Sequence, residues 1–281
     1  MPIIDNCPLV SVIMPAYGQA EYIAESLDSV IRQTYGNWEV IVVDDGSPDN
    51  VAGIVEAYSV SDSRIKFFHT ENRGVSAARN FAVRQTSGEY ILPLDADDTI
   101  EPTYLEKCVA RFVEYPETDV VYCMWRFFGE TTETPKLKYN NYASLLVNNS
   151  IFVSAMYRKS HFDSVGGYDE NMRQGLEDWE FWIRMLHKDS VVSQIPEQLF
   201  NYRIKARSRN VDAQKALSAF EIELYILDKH KELYSEMFGA PIDYLGMSLR
   251  LRNKYYGVWY RRIWYRLFKR LDIFNPRTPN T

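Results

Sequence analysis

Three aspartates, Asp95, Asp97 and Asp98, fall within four positions directly after the apolar run Tyr90-Ile91-Leu92-Pro93-Leu94. Carboxylates this close repel one another unless a cation sits among them. A hard divalent cation, Mg²⁺ or Mn²⁺, is the natural candidate, because one or two carboxylates hold it and substrate phosphates complete its shell. Taken alone, Asp-x-Asp also reads as a solvated acidic turn. Two further polar clusters follow apolar runs: Pro15-Ala16-Tyr17-Gly18 after Val10–Met14, and Asp44-Asp45-Gly46-Ser47 after Trp38–Val43. A third acidic pair, Glu177-Asp178, precedes Trp179, Trp182, Ile183 and Leu186 at helical spacing. Acids in a first helical turn complement the helix dipole whether or not they do chemistry.

The elements that position these groups alternate. Strands are expected at Val10–Met14, Trp38–Asp44, Ile65–His69, Tyr90–Leu94, Val120–Trp125, Ile151–Tyr157 and Gln198–Ile204. Helices are expected near 20–33, up to Ser59, after Asn80, over 103–114 with Pro102 in its first turn, and over 177–187. Asn72-Arg73-Gly74-Val75-Ser76-Ala77-Ala78-Arg79-Asn80 reads as a loop leading into a helix of small residues, whose start offers free N–H groups to an anion. Residues 128–150 are polar and loop-like. Strand–helix alternation of this kind marks an α/β fold with a mixed, mostly parallel sheet flanked by helices. Ligands of such sheets bind beyond the carboxyl ends of strands. Pro15–Tyr17, Asp44–Asp45 and Asp95–Asp98 all lie there, and their convergence on one edge says more than any of them singly.

The 281 residues divide, on this reading, into a catalytic domain over 1–210 and a helical C-terminal extension over 211–281, with helices expected over 211–237 and 242–271. Apolar residues at 46% suffice for a packed core and exclude wholesale disorder. Cys7, Cys108 and Cys123 have no zinc or disulfide spacing and read as reduced cytoplasmic thiols. No signal peptide and no run of 18 apolar residues is apparent. Net charge is −6, yet residues 250–270 carry eight Lys or Arg and no acid. Over Arg250–Leu271, Tyr256, Tyr260, Ile263, Trp264, Leu267 and Leu271 share one helical face and the basic residues take the other. That is the pattern of an interfacial helix on an anionic membrane surface; packing on protein is the alternative. The acidic remainder argues against nucleic acid.

Together these segments resemble glycosyltransferase family 2, the inverting nucleotide-sugar enzymes of GT-A fold. The resemblance rests on Val10–Tyr17, Val43–Ser47, Asn72-Arg73-Gly74, Ala77–Asn80, Asp95-Ala96-Asp97-Asp98, Gly166-Gly167-Tyr168-Asp169 and Glu177-Asp178-Trp179, in the family's order across residues 8–204. It implies roles residue by residue. Pro15, Ala16 and Tyr17 line the nucleobase pocket, and Asp45 hydrogen-bonds the base. Asp95 sits near ribose and metal, Asp97 ligates the metal, and Asp178 is the catalytic base. Arg79 matches a basic residue close to the nucleotide. Two positions depart from the pattern: Gly18 stands where Asn is frequent, and Lys205 follows Tyr202-Arg203-Ile204 where a His often helps to hold the metal or diphosphate. A protonated Lys cannot ligate a metal but neutralises a diphosphate directly.

The implied reaction moves a sugar from a nucleotide diphosphate donor, UDP above all, to a glycan or lipid-linked acceptor in bacterial surface polysaccharide synthesis. One general base suffices for a single inverting displacement, and a helix start keeps Asp178 ionised. Trp179 and Trp182 serve either as an acceptor platform or as core. A sugar-phosphate nucleotidyltransferase would want a Gly-rich basic loop after the first strand, which Pro15–Gln19 lacks. A non-catalytic nucleotide-sugar binding module would have no need of Asp95, Asp97 and Asp178.

Overall fold

The computed structural model describes residues 7–130, 138–205 and 215–239, and its architecture grows from the two most apolar runs. Strands β1 (Val10–Ala16) and β2 (Trp38–Asp44) are buried at every position. A strand covered on both faces needs no polar alternation, which explains the continuous apolar runs Val12–Met14 and Val40–Val43 within them. β1 pairs in parallel with β2 on one side and with β4 (Tyr90–Pro93) on the other; β2 pairs in parallel with β3 (Ile65–His69). Helices α1 (Ile23–Ile31), α2 (Val51–Ser61) and α3 (Val75–Arg84) make the crossovers. The direction of winding therefore reverses at β1, and the carboxyl ends of β1, β2 and β4 flank the reversal. That is where an open α/β sheet leaves a crevice.

After α4 (Tyr104–Glu114) the sheet becomes mixed. β7 (Met156–Arg158) runs antiparallel to β4 and to β6 (Thr118–Gly129); β6 runs parallel to β8 (Val191–Ile204), which pairs antiparallel with β5 (Thr99–Ile100). The order among the described residues is β3-β2-β1-β4-β7-β6-β8-β5. The remaining helices of this half are α5 (Tyr142–Val147), α6 (Lys159–Val165) and α7 (Glu177–Met185).

Several boundaries differ from expectation for local reasons. β8 begins at Val191 rather than Gln198, because Pro196 does not end the strand. The register steps from Cys123↔Ile195 to Met124↔Gln198, so Pro196 and Glu197 sit in an irregularity where a missing donor costs no ladder bond. Residues 151–155 are buried outside any strand, and β7 starts only at Met156. The polar stretch 128–150 contains α5, whose short apolar run is nucleated by a capping box: Asn141 accepts from the Ser144 amide, and Ser144 accepts from the Asn141 amide. Pro102 lies before the Thr103 N-cap of α4, not within its first turn, and its carbonyl accepts from the Thr34 amide.

Close approach is what the small residues of α3 provide. Ala77, Ala78 and Ala82 are buried, and α3 packs on β1 and β2. On the other half, an aromatic group of Tyr157, Phe162, Tyr168, Phe181 and Trp182 anchors α7, with Tyr168 and Phe181 stacked at 4.1 Å between centroids.

One compact unit extends through Tyr225 and a second begins at Ile226. The helical stretch expected over 211–237 contains α8 (Lys215–Lys229) and α9 (Lys231–Phe238), interrupted at His230. The 210/211 division, the helix expected over 242–271 and the amphipathic segment Arg250–Leu271 lie outside the described residues. No helix among the described residues is long and apolar enough to cross a membrane.

A buried polar network fixes the entrance to β4. Ser11 donates to Glu39 at 2.7 Å and accepts from the Gly88 amide at 2.9 Å; Glu39 also accepts from the Ser87 amide and from Lys66. A Cβ at Gly88 would stand 2.4 Å from Ser11 Oγ and 2.7 Å from the Leu9 carbonyl. Gly88→Ala is expected to lower stability by about 2 kcal/mol, read from the urea midpoint at constant slope.

Candidate active site

Loop geometry at the carboxyl edge is set first by glycines. Gly46 adopts φ +72°, and a Cβ there would lie 3.0 Å from the Asn72 amide nitrogen, so only glycine lets the β2 and β3 loops meet. Gly18 adopts φ +65° with open space around it. Left-handed backbone is the region that Gly and Asn share, which accounts physically for Gly at a position where the family often has Asn. The Gly18 amide donates to Ser47 Oγ and the Ala20 amide to Asp49, joining the β1 and β2 loops.

Within this frame Pro15 and Ala16 are buried in β1 and Tyr17 stands 48% exposed at its mouth, so Tyr17 alone of the three offers a large free surface. Asp45 is buried, and its oxygens accept from the Arg73 and Gly74 amides at 2.9 and 2.8 Å. It thereby holds Asn72-Arg73-Gly74 beside the β2 end. Asp44 accepts from the Ser47 amide and pairs with His69.

The three crowded aspartates are relieved one at a time. Asp95 accepts from Arg79 Nη2 at 2.6 Å. Asp97 Oδ2 lies 2.5 Å from Lys205 Nζ. Asp98 is buried; one oxygen accepts from the Arg203 amide at 2.8 Å and the other has no partner among the described residues. Burial first, then the charges of Asp97 and Asp95, push the Asp98 carboxyl well above its ordinary range. Arg79 and Lys205 thus set two of the chain's own cations against these acids. The Tyr202 hydroxyl is also held above its ordinary range, by burial and then by Asp98, Asp95 and Asp97, which places it beside the same group.

Arg79 is the connection between the two acidic motifs. It is almost wholly buried, donating to Asp95 and, through Nη1 at 2.7 Å, to Glu177. Burial works against its charge, but Asp95 and Glu177 outweigh it and hold the guanidinium ionised. The next residue, Asn80, clamps the turn that leads towards α7. Its Oδ1 accepts from the Tyr168 amide and its Nδ2 donates to the Tyr168 carbonyl, with Gly167 so close that a Cβ would stand 2.5 Å from Oδ1. Inside α7, buried Glu180 holds Arg184, which donates to the Val165 and Gly167 carbonyls.

Asp178 is half-buried, accepting from Asn149 Nδ2 at 3.1 Å and from the Trp179 amide at 2.8 Å. A helix start was expected to keep it firmly ionised. Instead burial, followed by the charge of Glu177, raises its pKa to about 6 against the opposing pull of Asn149 and Arg79. Desolvation outweighs the dipole here. Just before it, Leu176 is the sole non-glycine with positive φ among the described residues, at 60°. Trp179 and Trp182 are buried, with Trp179 Nε1 donating to the Leu145 carbonyl; both are core and neither is a platform. Asn149 and Gln19 join the site without any motif to announce them, whereas Tyr202 and Arg203 belong to the late-strand pattern that precedes Lys205.

The mixed switch-point sheet flanked by helices is an α/β fold of the GT-A class, similar to that of S. aureus TarS. Residues 11–166 match the family described as Glycosyl transferase family 2, and the chain belongs to that family. It is 29% identical over 244 residues to an uncharacterized glycosyltransferase of Rickettsia typhi, covering 81% of this chain and 71% of that one. It is 30% identical to glycosyltransferase GlyA of Streptococcus pneumoniae, covering 83% of this chain but 38% of the relative, and 31% identical to the putative glycosyltransferase EpsH of Bacillus subtilis, covering 78% and 67%. Among solved structures it is similar to a fragment of S. aureus TarS in complex with UDP-GlcNAc. The TM-score there is 0.63 at 23% identity, over 71% of this chain and 60% of that one.

Arg79→Met leaves Asp95 and Glu177 facing each other without their counter-charge. Breaking a buried pair from one side costs on the order of 3 kcal/mol. The midpoint of urea unfolding, compared between parent and variant at one pH, checks the magnitude.

Proposed function

We propose that this chain is an inverting glycosyltransferase that moves a sugar from a nucleotide diphosphate donor, with UDP as nucleotide, to a hydroxyl of a glycan or lipid-linked acceptor in bacterial surface polysaccharide assembly. The observation that carries the reading is the Arg79 bridge, because it brings the Asp95–Asp98 edge and the Glu177-Asp178 pair to one site. The bacterial glycosyltransferases among its relatives support the reaction class. The UDP-GlcNAc in the TarS complex supports the donor class.

Tyr17 and the loop held by Asp45 receive the nucleotide. Asp95 faces the ribose and diphosphate, with Arg79 fixing its position. Asp178 takes the proton from the acceptor hydroxyl as that oxygen attacks the anomeric carbon, while the nucleoside diphosphate leaves from the opposite face. A base with a pKa near 6 is more effective than an ordinary carboxylate and is still mostly ionised at pH 7. Its tie to Asn149 and the Trp179 amide aims the carboxylate.

Asp97 is the residue that would hold Mg²⁺ or Mn²⁺. Among the described residues no group of three His, Cys, Asp or Glu side chains could hold a metal. The donor set therefore fits an ion held by one carboxylate and by the donor's own phosphates, a common way of binding Mg²⁺. Such an ion supplies Lewis-acid stabilisation of the leaving diphosphate. Lys205, paired with Asp97, adds a second positive charge toward the same group.

The basic, aromatic segment Arg250–Leu271 supports association with an anionic membrane at which a lipid-linked acceptor would be met. The full chain is expected to sediment with anionic vesicles at low salt and to leave them at high salt; equal behaviour on anionic and zwitterionic vesicles removes the membrane from the proposal.

The catalytic assignment is tested by following nucleoside diphosphate release from UDP-sugars in the presence of acceptor. Asp178→Asn should retain donor binding and lose at least about a hundredfold in turnover. In the parent chain only the ionised base is active. The rate should therefore be full above pH 7 and fall about tenfold per unit below about pH 6, following the raised pKa of Asp178. A rate independent of pH across that range, or an active Asp178→Asn, would remove Asp178 from the role.

A further inference from the structure

Lys205 follows the end of β8 and carries its ammonium across to the loop after β1. Nζ lies 2.5 Å from Asp97 Oδ2, donates to Gln19 Oε1 at 2.7 Å, and stands 4.5 Å from the centre of the Tyr22 ring. An ammonium has three donor hydrogens and no acceptor, so two oxygens and a ring face meet its needs well. Asp97 is fixed from its other side as well, since its main-chain oxygen accepts from Arg203 Nε at 2.7 Å. Arg203 is itself held over Tyr22 and Phe128 and pairs with Glu25. The end of β8 thus delivers two cations onto one turn, and the Lys205 ammonium rests on the carboxylate that a divalent ion would use.

Lys205 occupies Oδ2, and a divalent ion on either oxygen of the same carboxylate would stand close to the ammonium and be repelled by it. We infer that Lys205 is a built-in counter-charge that competes with the divalent cation for Asp97, and that it meets the donor's diphosphate directly when no metal is present. This rests on the nucleotide-sugar reading above. A lysine on a flexible four-carbon stem suits the task, because it reaches phosphate as a compact point charge with no demand on geometry. Displaced from Asp97 by an ion, the same ammonium remains within reach of the diphosphate that the ion would bind. Gln19 is the positioning partner: it ties Lys205 to the loop that follows the nucleotide-facing Tyr17.

The experiment measures binding, not turnover, on the full chain. UDP is titrated calorimetrically into the parent, Lys205→Met and Gln19→Leu, each with Mn²⁺ and with a chelator. Mn²⁺ alone is titrated separately and followed by the loss of its free spin-resonance signal. For the parent, chelation should weaken UDP by no more than about tenfold; for Lys205→Met the loss should reach about a hundredfold or more. Mn²⁺ alone should bind more tightly to Lys205→Met than to the parent, because its competitor is gone. Gln19→Leu should fall between the two in both measurements. Equal sensitivity to chelation in parent and Lys205→Met, or equal Mn²⁺ affinity, overturns the inference while leaving the donor assignment standing. Failure of UDP to bind the parent under either condition overturns the donor assignment and the inference with it. The parent's own response to chelation is decisive even if a variant does not fold: complete loss of UDP binding on removing metal refutes a Lys205 counter-charge.

Discussion

A single buried guanidinium governs the arrangement. Arg79 has almost no contact with solvent and sits between Asp95 at the end of β4 and Glu177 at the start of α7. These elements are distant in sequence. Without the positive charge, their carboxylates would repel one another. With it, strong short hydrogen bonds hold them within one guanidinium's span. The surrounding sequence serves this contact. The small residues of α3 bring its backbone close to β1 and β2, so that Arg79 is buried at all, and Asn80 beside it pins the Gly167-Tyr168 turn. The Tyr168 ring lies 5.5 Å from the guanidinium and closes the remaining side.

Crowding of negative charge is resolved without any one dominant partner. Asp95 is neutralised by a buried arginine, Asp97 by a lysine just after β8, the strand paired with β5, and Asp98 by loss of water. Each solution leaves a different kind of group: a fixed anion, an exchangeable anion and a carboxyl biased toward its neutral form. Four residues at one strand end thereby offer three chemistries. Asp178 is a fourth case, in which desolvation and the Glu177 charge raise basicity while Asn149 preserves orientation.

Much of this was legible in the residues themselves. The apolar runs Val10–Met14 and Val40–Val43 suit buried parallel strands, and the polar residues after them then fall on one edge. Lys205 was visible as a departure from a familiar pattern. Its partner, however, depends on how β8 ends and on where Gln19 is carried by the β1 loop, neither of which has a periodicity to read. Pro196 hid the first half of β8 because a sequence shows a strand breaker but not the bulge that accommodates it. Asn149 lay in a stretch with no hydrophobic period, since α5 is short and depends on a cap rather than on a long apolar stripe. The Asp178 basicity was misjudged because a helix dipole can be inferred from position, whereas burial depends on what the tertiary fold places overhead.

The left-handed backbone at Leu176 has an effect on stiffness. Gly175 before it is also at positive φ, so two successive residues take conformations that glycine adopts freely. Only the first is glycine. A leucine in that region costs roughly 1–2 kcal/mol in the folded chain. A glycine there would remove that cost but give the unfolded chain more freedom to lose, worth about 0.4–1 kcal/mol. Much of the difference cancels in the folding equilibrium. What does not cancel is mobility within the folded state, because leucine has few alternative backbone wells to visit and glycine has many. The segment that delivers Glu177 and Asp178 is therefore a stiff hinge obtained at little net expense in stability, and the carboxylate it presents has a narrow range of directions in which to point.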